Sequence, residues 1–232
     1  MKITVVSATT LEVAPLLEQY QMHLTQSRDL YTNADENLHV LVTGMGMMQT
    51  AAHLALYASR NERDLYMDAG IAGAFNREIQ IGEVTQVMSE TYGDFGVEDG
   101  DDFADFYEMG FIDQHQDAFE YGKIGPFGNV CEHSSLEHLR KVTSLTVNKV
   151  HGKEETIAMI MKKYPADIEN MEGLAFFYVT HQIAKPSIEI RSISNYVERR
   201  NKDNWNIPLA VKNLNEELMR LLEAFRADSY PG

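Results

Sequence analysis

Two adjoining segments decide how this chain is read: Glu169-Asn-Met-Glu-Gly-Leu-Ala-Phe-Phe-Tyr-Val-Thr-His-Gln182 and, after a short break, Ser187-Ile-Glu-Ile-Arg-Ser-Ile-Ser-Asn195. The apolar pattern predicts a helix over Glu172–Gln182 and a β-branched strand over Ser187–Ile193. Both segments carry polar groups where an α/β sheet presents functional residues, at a strand's carboxyl end and at the start of the next element. Glu172 offers a carboxylate and Met171 a polarisable thioether, suited to a sugar, while Asn195 offers a carboxamide, suited to a purine edge. Together they outline a site for a nucleoside, with chemistry at the bond between ribose and base.

The alternation continues outward from these segments. Strands are predicted at Ile3–Ala8, Leu38–Thr43, Leu65–Ala69, Glu83–Ser89 and Ser144–Val150, and helices at Leu11–Tyr20, Met48–Arg60, Glu154–Lys163 and Pro208–Arg226. Strand and helix in repetition imply an α/β fold, a single domain over 1–232 with a mixed, mostly parallel central sheet covered by helices on both faces. The exception is 91–129, rich in Asp, Glu, Gly and Phe without a sustained period, which reads as an acidic insert.

Composition narrows the function. A chain of 232 residues with 44% hydrophobic content buries one substantial core. Its formal net charge of −15 repels a phosphate backbone, so neither nucleic acid nor an anionic membrane is an expected partner. The single Cys131 has no internal disulfide partner, and Met1–Ala8 has neither the basic start nor the apolar stretch of a signal peptide. No apolar run reaches the roughly 20 residues of a membrane span. A cytoplasmic location is the expectation.

Glu12 follows the first strand closely enough to aim a water into a site at the sheet edge. Thr9, Thr10, Leu11 and Glu12 also fit a capping box, in which Glu12 merely satisfies the Thr9 backbone, and the local pattern favours that reading. Gly44-Met-Gly46 and Gly70-Ile-Ala-Gly73 read as strand-to-helix turns that let a ligand approach the backbone. Neither is a dinucleotide fingerprint, since position 49 is Gln49, and no Walker sequence occurs. No metal site or cofactor is read: His133 and His138 are wrongly spaced for a helical ligand pair, and there is no G-x-S-x-G elbow. His181 reads as a satisfied core histidine, and Glu98 to Asp102 as a solvated loop.

Taken in order, these motifs resemble the nucleoside phosphorylase and nucleosidase family over nearly the whole chain. Glu12 after strand one, the Gly70–Gly73 turn, the Met171–Glu172 pair and the Arg191–Asn195 strand are similar to its water-activating, base-and-ribose, ribose and base-recognition elements. Methylthioadenosine nucleosidases carry Asp where this chain has Asn195. The branch that hydrolyses futalosine, in menaquinone biosynthesis, resembles the chain more closely in Ser194-Asn-Tyr196 and in an acidic insert like Gly93-Asp-Phe-Gly-Val-Glu98. The resemblance implies catalytic roles for Glu12 and Asn195. It implies substrate contacts for Gly70, Ile71, Ala72, Gly73, Val150, Asn170, Met171 and Glu172, with Ser194 and Arg191 holding that machinery. It also implies a small-molecule purine nucleoside and water as reactants, no cofactor, and a homodimer or higher homo-oligomer.

Asn195 has chemical content of its own. Adenine presents an acceptor beside a donor along N7 and its amine, whereas hypoxanthine presents acceptors at N7 and O6, and a carboxamide donates to the latter. A phosphorylase would need cations for phosphate, yet Thr9–Ala14 holds none and Asp68 stands before Gly70. Water is the expected nucleophile. For the benzoate end of futalosine the available candidates are Arg199, Arg200 and the insert's Phe95, Phe103 and Phe106. A broad nucleosidase and a nucleoside-binding relative without catalysis stay open as alternatives.

Overall fold

The computed structural model describes residues 1–27, 29–100 and 102–227. In chain order the main elements are β1 (Ile3–Ser7), α1 (Thr10–Gln19), β2 (His23–Leu24), β3 (Leu30–Thr32), β4 (Leu38–Val42), α2 (Met47–Ala58), β5 (Leu65–Ala74) and β6 (Val84–Tyr92). They continue with β7 (Gly96–Asp99), β8 (Asp102–Asp105), β9 (Lys123–Ile124), β10 (Arg140–Thr146), α3 (Glu154–Lys163), β11 (Ile168–Asn170), α4 (Gly173–Gln182), β12 (Ser187–Tyr196) and α5 (Ile207–Ala227).

Strand alternation sorts the core into two layers. Ile3 and Val5 of β1, Leu38 and Val40 of β4 and Leu65, Met67 and Ala69 of β5 bury against α1 and the apolar stripe of α5, Leu214 to Phe225. Val6, Leu41 and Tyr66, from the intervening positions, bury against Leu54 and Tyr57 of α2 and Phe176 and Phe177 of α4. The result is the expected α/β domain, a mixed sheet with helices on both faces.

The sheet runs β11-β10-β6-β12-β5-β1-β4-β3-β2, with β9 beside β6. Parallel pairings join β4, β1, β5 and β12 in succession and also β6, β10 and β11, while β12 meets β6 antiparallel. Because β11 pairs with β5 as well as with β10, the strands β5, β11, β10, β6 and β12 close into a ring. An open sheet, as the sequence implied, would leave β11 as an edge. The curl follows from the length of β5 and β12 and from an irregularity between Ile193 and Asn195, where the register shifts.

Several boundaries depart from the sequence reading. Gly70–Gly73 is not a turn but the second half of β5, paired along β12 from Arg191 to Asn195. Glu169 and Asn170, ahead of the helix, end the short strand β11, which the sequence reading missed. The strand expected at Ser144–Val150 lies at Arg140–Thr146 instead. Its ladder stops at Thr146 because Asp94 captures the next backbone, accepting from Asn148 N at 2.6 Å and Lys149 N at 3.3 Å. The acidic insert is ordered by aromatic packing, Tyr92 on Phe95 and Phe95 on Phe106, and by the β7–β8 hairpin. Tyr164 donates to Asp105 at 2.6 Å, and Lys163 pairs with Asp105 and Glu108, pinning the insert to the end of α3. Among the described residues no helix is long and apolar enough to cross a membrane.

Candidate active site

A cavity of about 420 Å³ opens at the carboxyl ends of β1, β5 and β12. Glu12, Ile71, Ala72, Gly73, Val150, Asn170, Met171, Glu172 and Asn195 line it, so segments far apart in sequence converge there. Gly70, Ser194 and Arg191 do not line it. Arg191 is fully buried beneath it, and Ser194 sits behind Asn195. Val150 contributes from the exposed loop beyond β10, at 45% exposure, not from a strand.

Glu12 forms the cap weighed from sequence and also lines the cavity. Oε2 closes the capping box, accepting from Thr9 N at 3.0 Å and Thr9 Oγ1 at 2.7 Å. Oε1 reaches across to β5 and accepts from Ile71 N at 3.1 Å. The cap therefore fixes the carboxylate at the cavity wall rather than competing with a role there. Gly70 permits this approach, since a Cβ on it would lie 3.0 Å from Glu12 Oε1 and would collide with Arg191 Nη1.

Glu172 occupies the N-cap position of α4 without a side-chain capping bond, which leaves its carboxylate to the cavity. Its Oε1 accepts from Gly46 N at 2.9 Å, and Gly46 takes the positive φ of 92° that turns this N–H inward. Burial raises the Glu172 carboxyl above its usual range, while Arg191, with Nη1 at 3.9 Å, and the Gly46 and Met171 amides pull it back. Asn170 presents backbone to the cavity but spends its side chain below: Oδ1 accepts from Glu172 N and Gly173 N, each at 2.8 Å, and Nδ2 donates to Glu90 and Ser144. The Asn195 carboxamide is likewise held, Oδ1 accepting from Ser194 Oγ at 2.8 Å and Nδ2 donating to Tyr196 O at 2.9 Å. Each end of the amide retains one free hydrogen-bonding position.

Beneath these residues lies a buried charge cluster. Arg191 pairs with Asp68, and its Nε donates to Glu189 at 2.7 Å. Glu90 stands beside Glu189, bonded to Thr146 at 2.7 Å. Burial raises Asp68, Glu90 and Glu189 above the ordinary carboxylate range, and the single guanidinium only partly offsets it. Burial alone would lower Arg191, but Asp68, Glu189 and Glu172 more than reverse this and hold it charged.

The benzoate candidates are separated by the fold. Arg200 lines the cavity, with Trp205 beneath its guanidinium at 5.8 Å. Phe95, Phe103 and Phe106 do not line it, because the insert is packed on the β10–α3 side, and Arg199, after β12, does not line it either. Sequence reading gave no site role to His151, Glu169, Met45 and Trp205, which all line the cavity; Glu169 and Met45 lie inside the segments it singled out, and His151 and Trp205 belong to no motif.

Fold and site together define a member of a known class: a profile of the phosphorylase superfamily matches residues 2–227, and the chain belongs to that superfamily. Among curated proteins, the futalosine hydrolase of Thermus thermophilus is 29% identical over 184 residues, 78% of this chain and 80% of that one. The 5′-methylthioadenosine/S-adenosylhomocysteine nucleosidase of Aeromonas salmonicida is 25% identical over 232 residues, 96% of this chain and 99% of that one. Among solved structures, the corresponding nucleosidase from Neisseria meningitidis, in complex with methylthio-immucillin-A, shares the fold with a TM-score of 0.80 at 16% identity, covering 96% of this chain and 99% of that one.

Proposed function

We infer that this chain hydrolyses the N-glycosidic bond of futalosine, releasing hypoxanthine and dehypoxanthine futalosine, as a step of menaquinone biosynthesis. The observation that carries the reaction class is Glu12, whose carboxylate is fixed at the cavity wall by Thr9 and Ile71 and stands across from Glu172. The similarity to a futalosine hydrolase and the carboxamide of Asn195 support the substrate.

Glu172 holds the ribose 2′ and 3′ hydroxyls and sets negative charge beneath a sugar that gains oxocarbenium character as the bond breaks. Met171 packs on the ribose face. Glu12 takes a proton from a water whose oxygen bonds to C1′, while the electron pair of the C1′–N9 bond leaves with the purine. Asn195 donates to the acceptor edge of that purine, and solvent supplies its proton. Arg200 is the one Arg or Lys that lines the cavity among the described residues, and it meets the carboxylate at the 5′ end. Water rather than phosphate is the nucleophile, because among the described residues Arg200 alone brings a cation to the cavity lining, and Arg191 below Glu12 is committed to Asp68 and Glu189. A homodimer or larger homo-oligomer fits the rim, where Leu11, Met45 and Met48 are 63%, 65% and 80% exposed.

A broader nucleosidase acting on methylthioadenosine is the second reading, favoured by the similarity to the Aeromonas protein. Release of free base from futalosine, inosine and methylthioadenosine, each with and without phosphate, separates the two. Hypoxanthine from futalosine, indifferent to phosphate, is the expected result. Adenine from methylthioadenosine as the main product, or a requirement for phosphate, would overturn it.

A further inference from the structure

Two side chains at one end of the cavity take no part in this hydrolysis. The side chains of His151 and Glu169 are only 3% and 4% exposed, and both residues line the cavity. Glu169 Oε2 pairs with the ring Nδ1 of His151 at 2.6 Å, and Oε1 accepts from the backbone N–H of the same residue at 3.0 Å. With both oxygens engaged as acceptors, a ring proton is held on Nδ1, and in that tautomer of the imidazole Nε2 carries a lone pair. Among the described residues nothing hydrogen-bonds to Nε2, and it is not one of the sealed, unpartnered atoms of the core. It is the nitrogen left to meet a ligand.

The sheet fixes where that ligand lies. Gly73 is the register partner of Glu169 on β11 and of Asn195 on β12, so the three form one row across the sheet. Side chains in one row project to the same face, with strands about 4.8 Å apart, and the middle position here has none. A Cβ on Gly73 would lie 3.0 Å from Val197 Cγ2, 3.2 Å from Asn195 Nδ2 and 3.7 Å from Glu169 Cγ, so these side chains close in around the missing one. A flat ring system in the cavity against the Gly73 backbone thus has a carboxamide donor at one side and the Glu169–His151 pair at the other. Its complement has an acceptor edge and a ring N–H. A 6-oxopurine has that N–H at N1; a 6-aminopurine has a lone pair there instead.

We propose that His151, set in its Nδ1–H tautomer by Glu169, is a specificity-determining residue that accepts a hydrogen bond from N1–H of a 6-oxopurine base. This rests on the nucleosidase reading and adds to it a second residue that reads the base. The tautomer makes a demand that a packing role would not. In Glu169→Gln the lone amide oxygen must serve the His151 backbone N–H, so the amide NH₂ faces Nδ1 and drives the ring proton to Nε2. The base-reading atom then becomes a donor, matched to adenine.

The test is calorimetric titration of hypoxanthine and adenine into the full chain, Glu169→Gln and His151→Phe, with thermal unfolding to confirm that each variant folds. The wild type is expected to favour hypoxanthine. His151→Phe should lower the hypoxanthine-to-adenine ratio about tenfold, the loss of one matched hydrogen bond, and Glu169→Gln should carry it further, toward adenine. Unchanged ratios in the folded variants would overturn the assignment while leaving the base class intact. If Glu169→Gln does not fold, His151→Phe decides alone. A wild type that favours adenine, or binds neither base, would overturn the base class of the proposed function and this assignment with it.

Discussion

Arg191→Met tests the buried cluster most directly. Among the described residues Arg191 is the only cation beside Asp68, Glu189, Glu90 and Glu172, and it is fully enclosed. A methionine of similar length fills the space but leaves the carboxyls without their counter-charge. Removing one partner of a buried ion pair typically costs about 3–5 kcal/mol, and for a chain of this size each kcal/mol lowers Tm by about 2–4 °C. A fall of roughly 6–20 °C is therefore expected near neutral pH. The cost must depend on pH. The carboxyls already lie above their ordinary range with Arg191 present, and losing the cation raises them further, so mild acid neutralises them and shrinks the deficit. Thermal unfolding of wild type and variant at pH 5.5 and 8, at one protein concentration, reads both effects. A loss under about 1 kcal/mol, or an equal loss at the two pH values, would refute a cluster held together by this guanidinium.

The same geometry leads to three further outcomes. Glu12→Gln keeps an acceptor for Ile71 but removes the base, so hydrolysis should fall about 10²- to 10⁴-fold while hypoxanthine binding by titration persists; unchanged turnover would remove Glu12 from the chemistry. Asn195→Asp, backed by the same Ser194 hydroxyl, should shift substrate preference toward 6-aminopurine nucleosides in competition assays, and an unmoved preference would count against the edge reading. Glu189 has a folded-state carboxyl raised by burial and by Glu90, so its contribution to stability is present below the unfolded value of about 4.3 and is lost as pH rises through the higher folded value. Glu189→Gln, whose oxygen can still accept from Arg191 Nε, should therefore flatten the decline of Tm with rising pH; an unaltered slope would show that Glu189 is not the group titrating.

How much of the fold was legible in the sequence depended on the length of each pattern. The long periodic stretches of α3, α4 and α5 and the β-branched β1 and β12 were readable because many residues repeat one signal. Ile168–Asn170 is too short to carry a period, so its strand was hidden, and with it the closure of the ring. Gly70 and Gly73 look like turn residues because glycine's usual meaning is backbone freedom; here they are needed inside a strand for the room they leave Glu12, Arg191 and Asn195. Glu12 was read as a cap or as a functional group, and its two oxygens let it close the cap and still reach across to β5 at the cavity wall. His151 and Glu169 meet only through the loop that leaves β10 early, a consequence of Asp94 capturing Asn148 and Lys149 that no local pattern announces.

The position of β12 has a bearing on how the chain is made. This strand lies between β5 and β6, both of which leave the ribosome long before it, and it carries Asn195 and the buried Arg191. Until Ser187–Tyr196 emerges, β5 and β6 each present an unpaired edge, and Asp68 has no cation. Such edges are templates for mispairing with another chain. A fragment ending before β12 would have neither a closed ring nor a site, so the interval between the emergence of β6 and that of β12 is when this protein depends most on being kept from its neighbours.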